Sequence, residues 1–333
     1  MKTILVTGGL GFVGSNFIKY ILKKYKNYII VNIDKITYSG NLEYLKDVEK
    51  ESRYYFEKGD IADMSFILSV FKKYDIDYII NIAAETHVDR SIEDSNPFVR
   101  TNIVGTSILL DVAKKEWQIN TDNHGYPIYK DNVRFIQIST DEVYGSYTDE
   151  EIFTEKTNLL ATNPYAASKA SADLMVISYG KTFKLPFNIT RCANNYGKYQ
   201  FPEKLIPLVI KKCINNEEIP LYGDGKQIRE WIHVLDHVRA IDVILHDGIL
   251  FEIYNITTNE EKQNIDVVKK IIDIVGKDYS LIKNVEDRLS HDVKYSINAD
   301  KLKNTLNWSP IYNFDVELEN VVNWYLENSW IFE

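Results

Sequence analysis

The sequence predicts an α/β fold: a doubly wound parallel sheet followed by a smaller carboxy-terminal α/β lobe. Three observations carry this. Short apolar runs alternate with longer stretches of helical apolar spacing through the first two-thirds of the chain, a glycine-rich loop follows the first run, and the alternation becomes irregular near Cys192. Strand and helix signals in strict alternation make βαβ crossovers, which set successive strands parallel.

Taken in order, the strands are expected at Ile4–Val6, Tyr28–Ile33, Tyr54–Phe56, Tyr78–Ile82, Phe135–Ile138 and Phe187–Thr190. Each is short, rich in β-branched and aromatic residues, and bounded by polar or glycine residues. Between them Phe12–Tyr25, Met64–Tyr74, Pro97–Trp117 and Pro164–Phe183 carry apolar residues at three- and four-residue spacing, as crossover helices do. Beyond Cys192, helices near Pro202–Asn215, Asp236–His246 and Val267–Val275 alternate with loops such as Tyr222 to Gly225. The chain therefore divides into residues 1–191, binding a dinucleotide, and residues 192–333, binding substrate, with some interleaving of segments allowed. The cleft between them is the expected site.

The 333 residues are 45% hydrophobic and 26% charged, enough to bury a large core. A formal net charge of -9 argues against a nucleic-acid partner, since duplex binding needs a clustered basic surface. An anionic ligand must then meet locally placed cations. Cys192 and Cys213 are the only cysteines, too few for a disulfide framework and without zinc-ligand spacing. No metal and a reducing, cytoplasmic setting are expected. The first apolar run enters glycines at Gly8 and Gly9 instead of extending into a signal-peptide core, and no run approaches the ~18 apolar residues of a membrane span.

The glycine-rich stretch, Thr7 to Gly14, has Gly8, Gly11 and Gly14 at fingerprint spacing and opens the first helix. Glycine lets the backbone approach a pyrophosphate at a helix N-terminus, the Rossmann-like arrangement. Asp34 ends the second strand twenty residues after Gly14, where its carboxylate meets the adenosine ribose hydroxyls. A 2′-phosphate would be repelled there, so the expected cofactor is NAD, with Lys35 the one nearby cation that would favour NADP.

Tyr165 and Lys169 lie four residues apart on a helical stretch, so both project from one face. A tyrosine pKa of about 10 must fall by roughly three for the phenol to act as a base near neutrality. An ammonium at ~4 Å supplies ~4 kcal/mol at an effective dielectric of about 20, which suffices, with the cofactor's positive nicotinamide as a further contributor. Thr140, Asp141 and Glu142 follow the fifth strand, at the carboxyl end where open α/β sheets place chemistry. Two adjacent carboxyls facing a low-dielectric cleft split into one protonated acid and one ionised base.

These motifs in this order resemble the extended short-chain dehydrogenase/reductase superfamily, and more closely its dTDP-glucose 4,6-dehydratase family. The resemblance covers nearly the whole chain, through Asp34 to Asn41, Gly59 to Ile61, Ala83 to Ser91, Ser139 to Gly145, Asn163 to Lys169, Arg191 to Pro207, Tyr222 to Gly225, Arg229 to Trp231 and Asp287 to Tyr295. It implies that Thr140, Tyr165 and Lys169 drive hydride transfer while Asp141 and Glu142 are the acid and base of an elimination. It implies cofactor contacts from Gly8, Gly11, Phe12, Val13, Gly14, Asp34, Lys35, Thr37, Gly40, Asp60, Ile61, Ala83 and Ala84 as well. By the same resemblance, Glu85, His87, Thr140, Asn195, Lys204, Leu205, Pro220, Tyr222, Arg229, Asn264, His291 and Tyr295 contact a nucleotide sugar.

Lys204 and Arg229 are the local cations that a diphosphate would need. The sequence departs from common family wording at Ala193, Lys198, Glu230 and Leu289-Ser290. The last pair adjoins His291, so the base stays open among dTDP-glucose, UDP-glucose, UDP-N-acetylglucosamine and CDP-glucose. A 4-epimerase and a non-catalytic dinucleotide sensor are the rival readings; the acidic pair speaks against both. The resemblance also implies a homodimer through paired helices.

Overall fold

The computed structural model describes residues 1–146, 152–286 and 296–332. Seven strands form one all-parallel sheet: β1 (Lys2–Thr7), β2 (Tyr28–Asp34), β3 (Tyr54–Lys58), β4 (Tyr78–Asn81), β7 (Arg134–Thr140), β8 (Phe187–Cys192) and β12 (Ile253–Ile256). A short antiparallel hairpin of β5 (Gln118–Thr121) and β6 (Pro127–Tyr129) projects between β4 and β7 in sequence. Spatial order is β3-β2-β1-β4-β7-β8-β12, so the winding reverses between β1 and β4. In β1, Ile4, Leu5 and Val6 are all fully buried, because a parallel sheet is covered on both faces.

The two-residue side-chain period sorts that burial. Ile4 and Val6 pack with Phe17, Ile18 and Ile21 of α1 (Phe12–Lys24). Leu5 faces the other layer with Ile67 and Val70 of α2 (Met64–Lys73). On that second face, α3 (Val88–Glu93), the single turn α4 (Asn96–Phe98) and a π-helical segment, Val99–Gly105, lead into α5 (Thr106–Trp117). The continuous helix expected over Pro97–Trp117 is thus interrupted. The reason is Asn102, whose side chain leaves the π turn to bond Glu85 and Ser168. The long helix α6 (Pro164–Phe183) follows, capped by Asn163, whose Oδ1 accepts the Ala166 amide at 2.8 Å.

The small lobe contains α7 (Leu205–Asn215), α9 (Asn264–Val275) and α11 (Phe314–Glu327) around a third core. Its strands are β9 (Asn194–Tyr196), β11 (Ile228–His233) and β13 (Glu261–Gln263) in one sheet, with β10 (Ile219–Tyr222) and β14 (Ile282–Val285) as a parallel pair. Three elements from beyond residue 192 instead join the large sheet's core: β12 pairs with β8, and α8 (Val234–Asp247) and α10 (Asp300–Leu306) pack beside it. β12 reads Ile-Tyr-Asn-Ile, broken by Asn255 and lying beyond Cys192 where the strand–helix alternation becomes irregular, so periodicity did not mark it as a seventh strand. Among the described residues no helix is long and apolar enough to cross a membrane.

Asp242 of α8 holds α1 in place. Its buried carboxylate accepts Lys24 Nζ at 2.5 Å, Tyr25 OH at 3.0 Å and Tyr20 OH at 3.1 Å, and lies 3.1 Å from His246 Nδ1. Burial alone would raise its pKa, but hydrogen bonds from His246 and Lys24 outweigh it and hold the group below its usual value. Its stabilising contribution is therefore present above the ordinary carboxylate range and lost as pH falls through the lowered pKa. Asp242→Asn is expected to cost about 1–3 kcal/mol in urea unfolding at neutral pH, with a smaller difference in acid; equal midpoints at neutral pH would refute this.

Candidate active site

The switch between β1 and β4 opens a crevice at their carboxyl ends, and its floor is tied by buried polar side chains. Thr7 Oγ1 donates to Asn81 Oδ1 at 2.7 Å, while Asn81 Nδ2 donates to Gln137 Oε1 at 2.8 Å and Thr106 Oγ1 at 3.0 Å. Three strand ends are so held in register around the cleft. Gly8, at φ +71°, is where the loops meet most closely: a Cβ there would stand 2.7 Å from Ala83 Cα. A Cβ on Gly14 would strike the Gly8 carbonyl. The backbone between them is left bare, with Gly11, Phe12 and Val13 lining the cleft at the N-terminus of α1. This cradle fits a dinucleotide pyrophosphate.

Asp34 lines the same cleft, and its two oxygens accept backbone amides of Leu10 at 3.0 Å and Ile36 at 2.8 Å. Burial raises its pKa against those hydrogen bonds. Each oxygen keeps a lone pair for a ribose hydroxyl. The Ile36 bond also holds a β-branched residue at φ +59°, a strained conformation that the sequence did not announce. Lys35 also lines the cleft, its ammonium donating to Thr101 Oγ1 at 3.0 Å and standing 3.6 Å from Glu85 Oε1. Thr37, Gly40, Asp60, Ile61, Ala83, Ala84 and Glu85 also line the cleft.

At the far end stand Thr140, Glu142, Tyr165 and Lys169. Pro164 and the Asn163 cap start α6 so that Tyr165 falls in its first turn; Ser168 Oγ binds Tyr165 O at 2.7 Å and receives Asn102 Nδ2 at 2.8 Å. The loop after β4 and the helix are thereby fixed to each other. Asp141 and Glu142 lie in a 3₁₀ turn capped by Thr140. Glu142 opens to the cleft and Asp141 lies beneath it, 2% exposed, accepting Thr140 Oγ1 at 3.1 Å. Burial, then the charges of Glu142 and Glu230, push the Asp141 carboxyl up to about 8, so it is an acid at neutral pH.

Burial and Glu142 push the Tyr165 phenol well above 10, opposed by a hydrogen bond with Thr140. The lysine ammonium is engaged elsewhere, donating to the Ile138 carbonyl at 2.6 Å. Burial lowers Lys169 itself to about 8. Four-residue spacing put both groups on one face but could not say which acceptor the ammonium would choose.

Of the expected substrate contacts, Glu85, Asn195, Lys204 and Leu205 line the cleft, and Lys204 Nζ donates to Thr86 O at 2.9 Å. His87 sits at the rim as the cap of α3. Pro220 and Tyr222 on β10, Arg229 on β11 and Asn264 on α9 belong to the small lobe, and the Arg229 charge reaches Asp141 and works to lower its carboxyl. His291 and Tyr295 lie outside the described residues. Sequence reasoning missed Thr101, Gln200, Glu203, Trp231 and His237, all cleft-lining. His237 is buried with Nδ1 2.9 Å from Asn195 Oδ1, and burial lowers it to about 3, so the ring is neutral. It lies inside a regular helical pattern, and no sequence signal separates it from a core histidine.

A dinucleotide cradle that leads straight to a buried tyrosine, lysine and paired carboxyls defines an NAD-dependent enzyme of the extended short-chain dehydrogenase/reductase class. A family model described as GDP-mannose 4,6 dehydratase matches residues 5–321. A dTDP-glucose 4,6-dehydratase of Salmonella typhimurium is 45% identical over 98% of this chain and 94% of its own length. The Bacillus anthracis dTDP-glucose 4,6-dehydratase, solved in complex with NAD, superposes with a TM-score of 0.88 at 45% identity, covering 99% of this chain and 98% of that one. Its Streptomyces venezuelae counterpart, also with NAD, gives 0.91 at 39%, covering 98% of each. The chain belongs to the dTDP-glucose 4,6-dehydratase family.

The buried acid is directly observable. Infrared titration should show one carboxylic-acid carbonyl band that survives at pH 7, fades as pH rises through about 8, and is missing from Asp141→Asn. A band that fades in the ordinary carboxylate range would refute the assignment.

Proposed function

We propose that this cleft converts dTDP-glucose to dTDP-4-keto-6-deoxyglucose and water, with Tyr165, Glu142 and Asp141 moving the protons. The observation that carries the reading is the split between two adjacent carboxyls, one held protonated beneath the cleft and one open to it. Bound NAD supplies the hydride acceptor for C4 and the donor for C6, and returns unchanged.

Tyr165 takes the proton of the sugar 4-hydroxyl through Thr140 as C4 becomes a ketone. Because burial holds the phenol high, the stabilisation a phenolate needs would come from the positive ring of bound nicotinamide, with Lys169 on the same helix face. The ketone acidifies C5–H, Glu142 removes that proton, and Asp141 protonates the departing C6 hydroxyl so that it leaves as water; as hydride returns to C6, Glu142 gives its proton back to C5, and the proton held by Tyr165 replaces the one Asp141 spent. Lys204, at the cleft mouth, and Arg229, behind it, are the cations for the diphosphate. Pro220, Tyr222, Asn264, His291 and Tyr295 take the nucleotide beyond. Residues 1–191, together with the returning α8, β12 and α10, make the NAD-binding lobe, and the remainder of 192–333 holds the nucleotide sugar.

A relay leaves a signature in the product. Substrate deuterated at C4 is expected to yield product deuterated at C6 with no added cofactor consumed, and Glu142→Gln should stall with reduced nicotinamide absorbance. Label retained at C4 would be the mark of an epimerase, and label in free cofactor that of a simple dehydrogenase. Either would sink the reading.

The setting is cytoplasmic and the assembly a homodimer. Both cysteines are unpaired and buried, as suits a reducing compartment. Val99, Val104 and Leu174 are 46%, 42% and 56% exposed on neighbouring helical segments, an apolar surface suited to a second copy of the same pair. Sedimentation should give a dimer for the native chain and a smaller species for Leu174→Glu; a native monomer would overturn the assembly.

A further inference from the structure

The mouth of the cleft is crossed by a small cluster that neither the proton chemistry nor the phosphate cradle uses. Tyr38 comes from the loop after β2, Arg90 from α3 after β4, and Glu203 from the small lobe. The Arg90 guanidinium lies 3.8 Å from the centre of the Tyr38 ring. Tyr38 OH donates to Glu203 Oε1 at 3.3 Å, and Arg90 Nη2 stands 3.5 Å from Glu203 Oε2. Phe201 closes the set edge-on to Tyr38, with ring centroids 5.4 Å apart. The flanking residues Thr37, Ser39, Phe201 and Glu203 all line the cleft. One contact triangle thus joins both banks of the large lobe's crevice to the small lobe, directly over the cofactor channel.

The character of these contacts distinguishes a fastening from a weld. Arg90 and Tyr38 are 49% and 37% exposed, and the contacts are long, polar and charged, so they break and reform without exposing a core. The loop after β2 and the small-lobe segment before α7 also carry non-glycine backbone in the left-handed region, Ile36 at φ +59° and Tyr199 at φ +73°. Such strain persists where surrounding contacts over-determine it, and it favours release once they part.

We propose that Tyr38, Arg90 and Glu203 form a latch that holds the small lobe over the dinucleotide channel and keeps NAD bound through the whole relay. This rests on the relay reading, because a cofactor reduced in one half-reaction must still be in place for the next. Arg90 and Glu203 act as positioning residues: they gate departure of the cofactor and touch no reacting atom.

The test measures retention of cofactor. Protein loaded with radiolabelled NAD is diluted into excess unlabelled NAD, and retained label is followed with time. Arg90→Ala and Glu203→Gln are each expected to exchange NAD roughly tenfold faster than the native chain, the scale of one cation–π contact and one partly buried ion pair. Tyr38→Phe, which removes only an exposed hydroxyl, should exchange about threefold faster without loss of thermal stability. The Arg90→Ala/Glu203→Gln double variant should be no worse than the faster single, since one latch can open only once. Native exchange rates in all three single variants, or effects that multiply in the double, would overturn the latch. The C4-deuterium experiment on the native chain is read separately: its failure alongside leaky variants would remove the relay and leave the latch.

Discussion

The structure depends on the reversal of winding between β1 and β4. Parallel neighbours need crossover connections, and where one crossover turns left and the next right, no chain covers the gap between the two strand ends. Gly8 and Ala83 then approach closely enough that a side chain at residue 8 would not fit. The bare backbone that results lines the cleft at the start of α1. Thr7, Asn81, Gln137 and Thr106 keep it from drifting by satisfying one another in the interior. The chemistry at β7 and α6 is placed by that same floor.

Desolvation is the second organising force, and it acts on groups of opposite sign at once. It raises Asp141 and Tyr165 and lowers Lys169. A buried ion pair lies beneath them: Arg191 Nε meets Asp173 Oδ2 at 2.9 Å, Arg191 Nη1 donates to Tyr144 OH at 3.0 Å, and Tyr144 OH donates to Asn255 at 2.7 Å. Asp173 lies one turn after Lys169 on α6, and its negative charge works against the loss of the lysine's proton. Asn255 belongs to β12, so a strand from the chain's second half completes the support beneath the active-site helix. Removing one member of such a buried set would strand its partner's charge, which is why the set is more consequential than any surface ion pair.

The two lobes meet through polar contacts as well as through a shared core. Asn16 Nδ2 donates to Lys198 O at 3.1 Å, and Lys19 Nζ to Tyr199 OH at 2.8 Å, linking α1 to the segment that leads into α7. The glycine loop's helix and the small lobe are therefore mechanically continuous. A reaction that oxidises at one carbon and reduces at another gains from such continuity, because the substrate must be held between the two hydride transfers.

What the sequence determined by itself is whatever short-range pattern encodes: six of the seven large-sheet strands, the crossover helices, the glycine loop with its carboxylate, and the Tyr165, Lys169, Asp141 and Glu142 constellation. These are legible because backbone freedom, apolar period and one-turn spacing are local properties. Tertiary structure decided the rest. The four residues of β12 pair with the edge that β8 offers, and Asn102 in the π turn is bonded to Glu85 and Ser168, contacts that only the folded chain brings together. The acceptor of Lys169, the burial that makes Asp141 an acid, and the entry of His237 and Glu203 into the cleft all depend on residues distant in sequence. Proton affinity is set by what surrounds a group in space, and a chain read residue by residue contains no record of which segments will exclude water together.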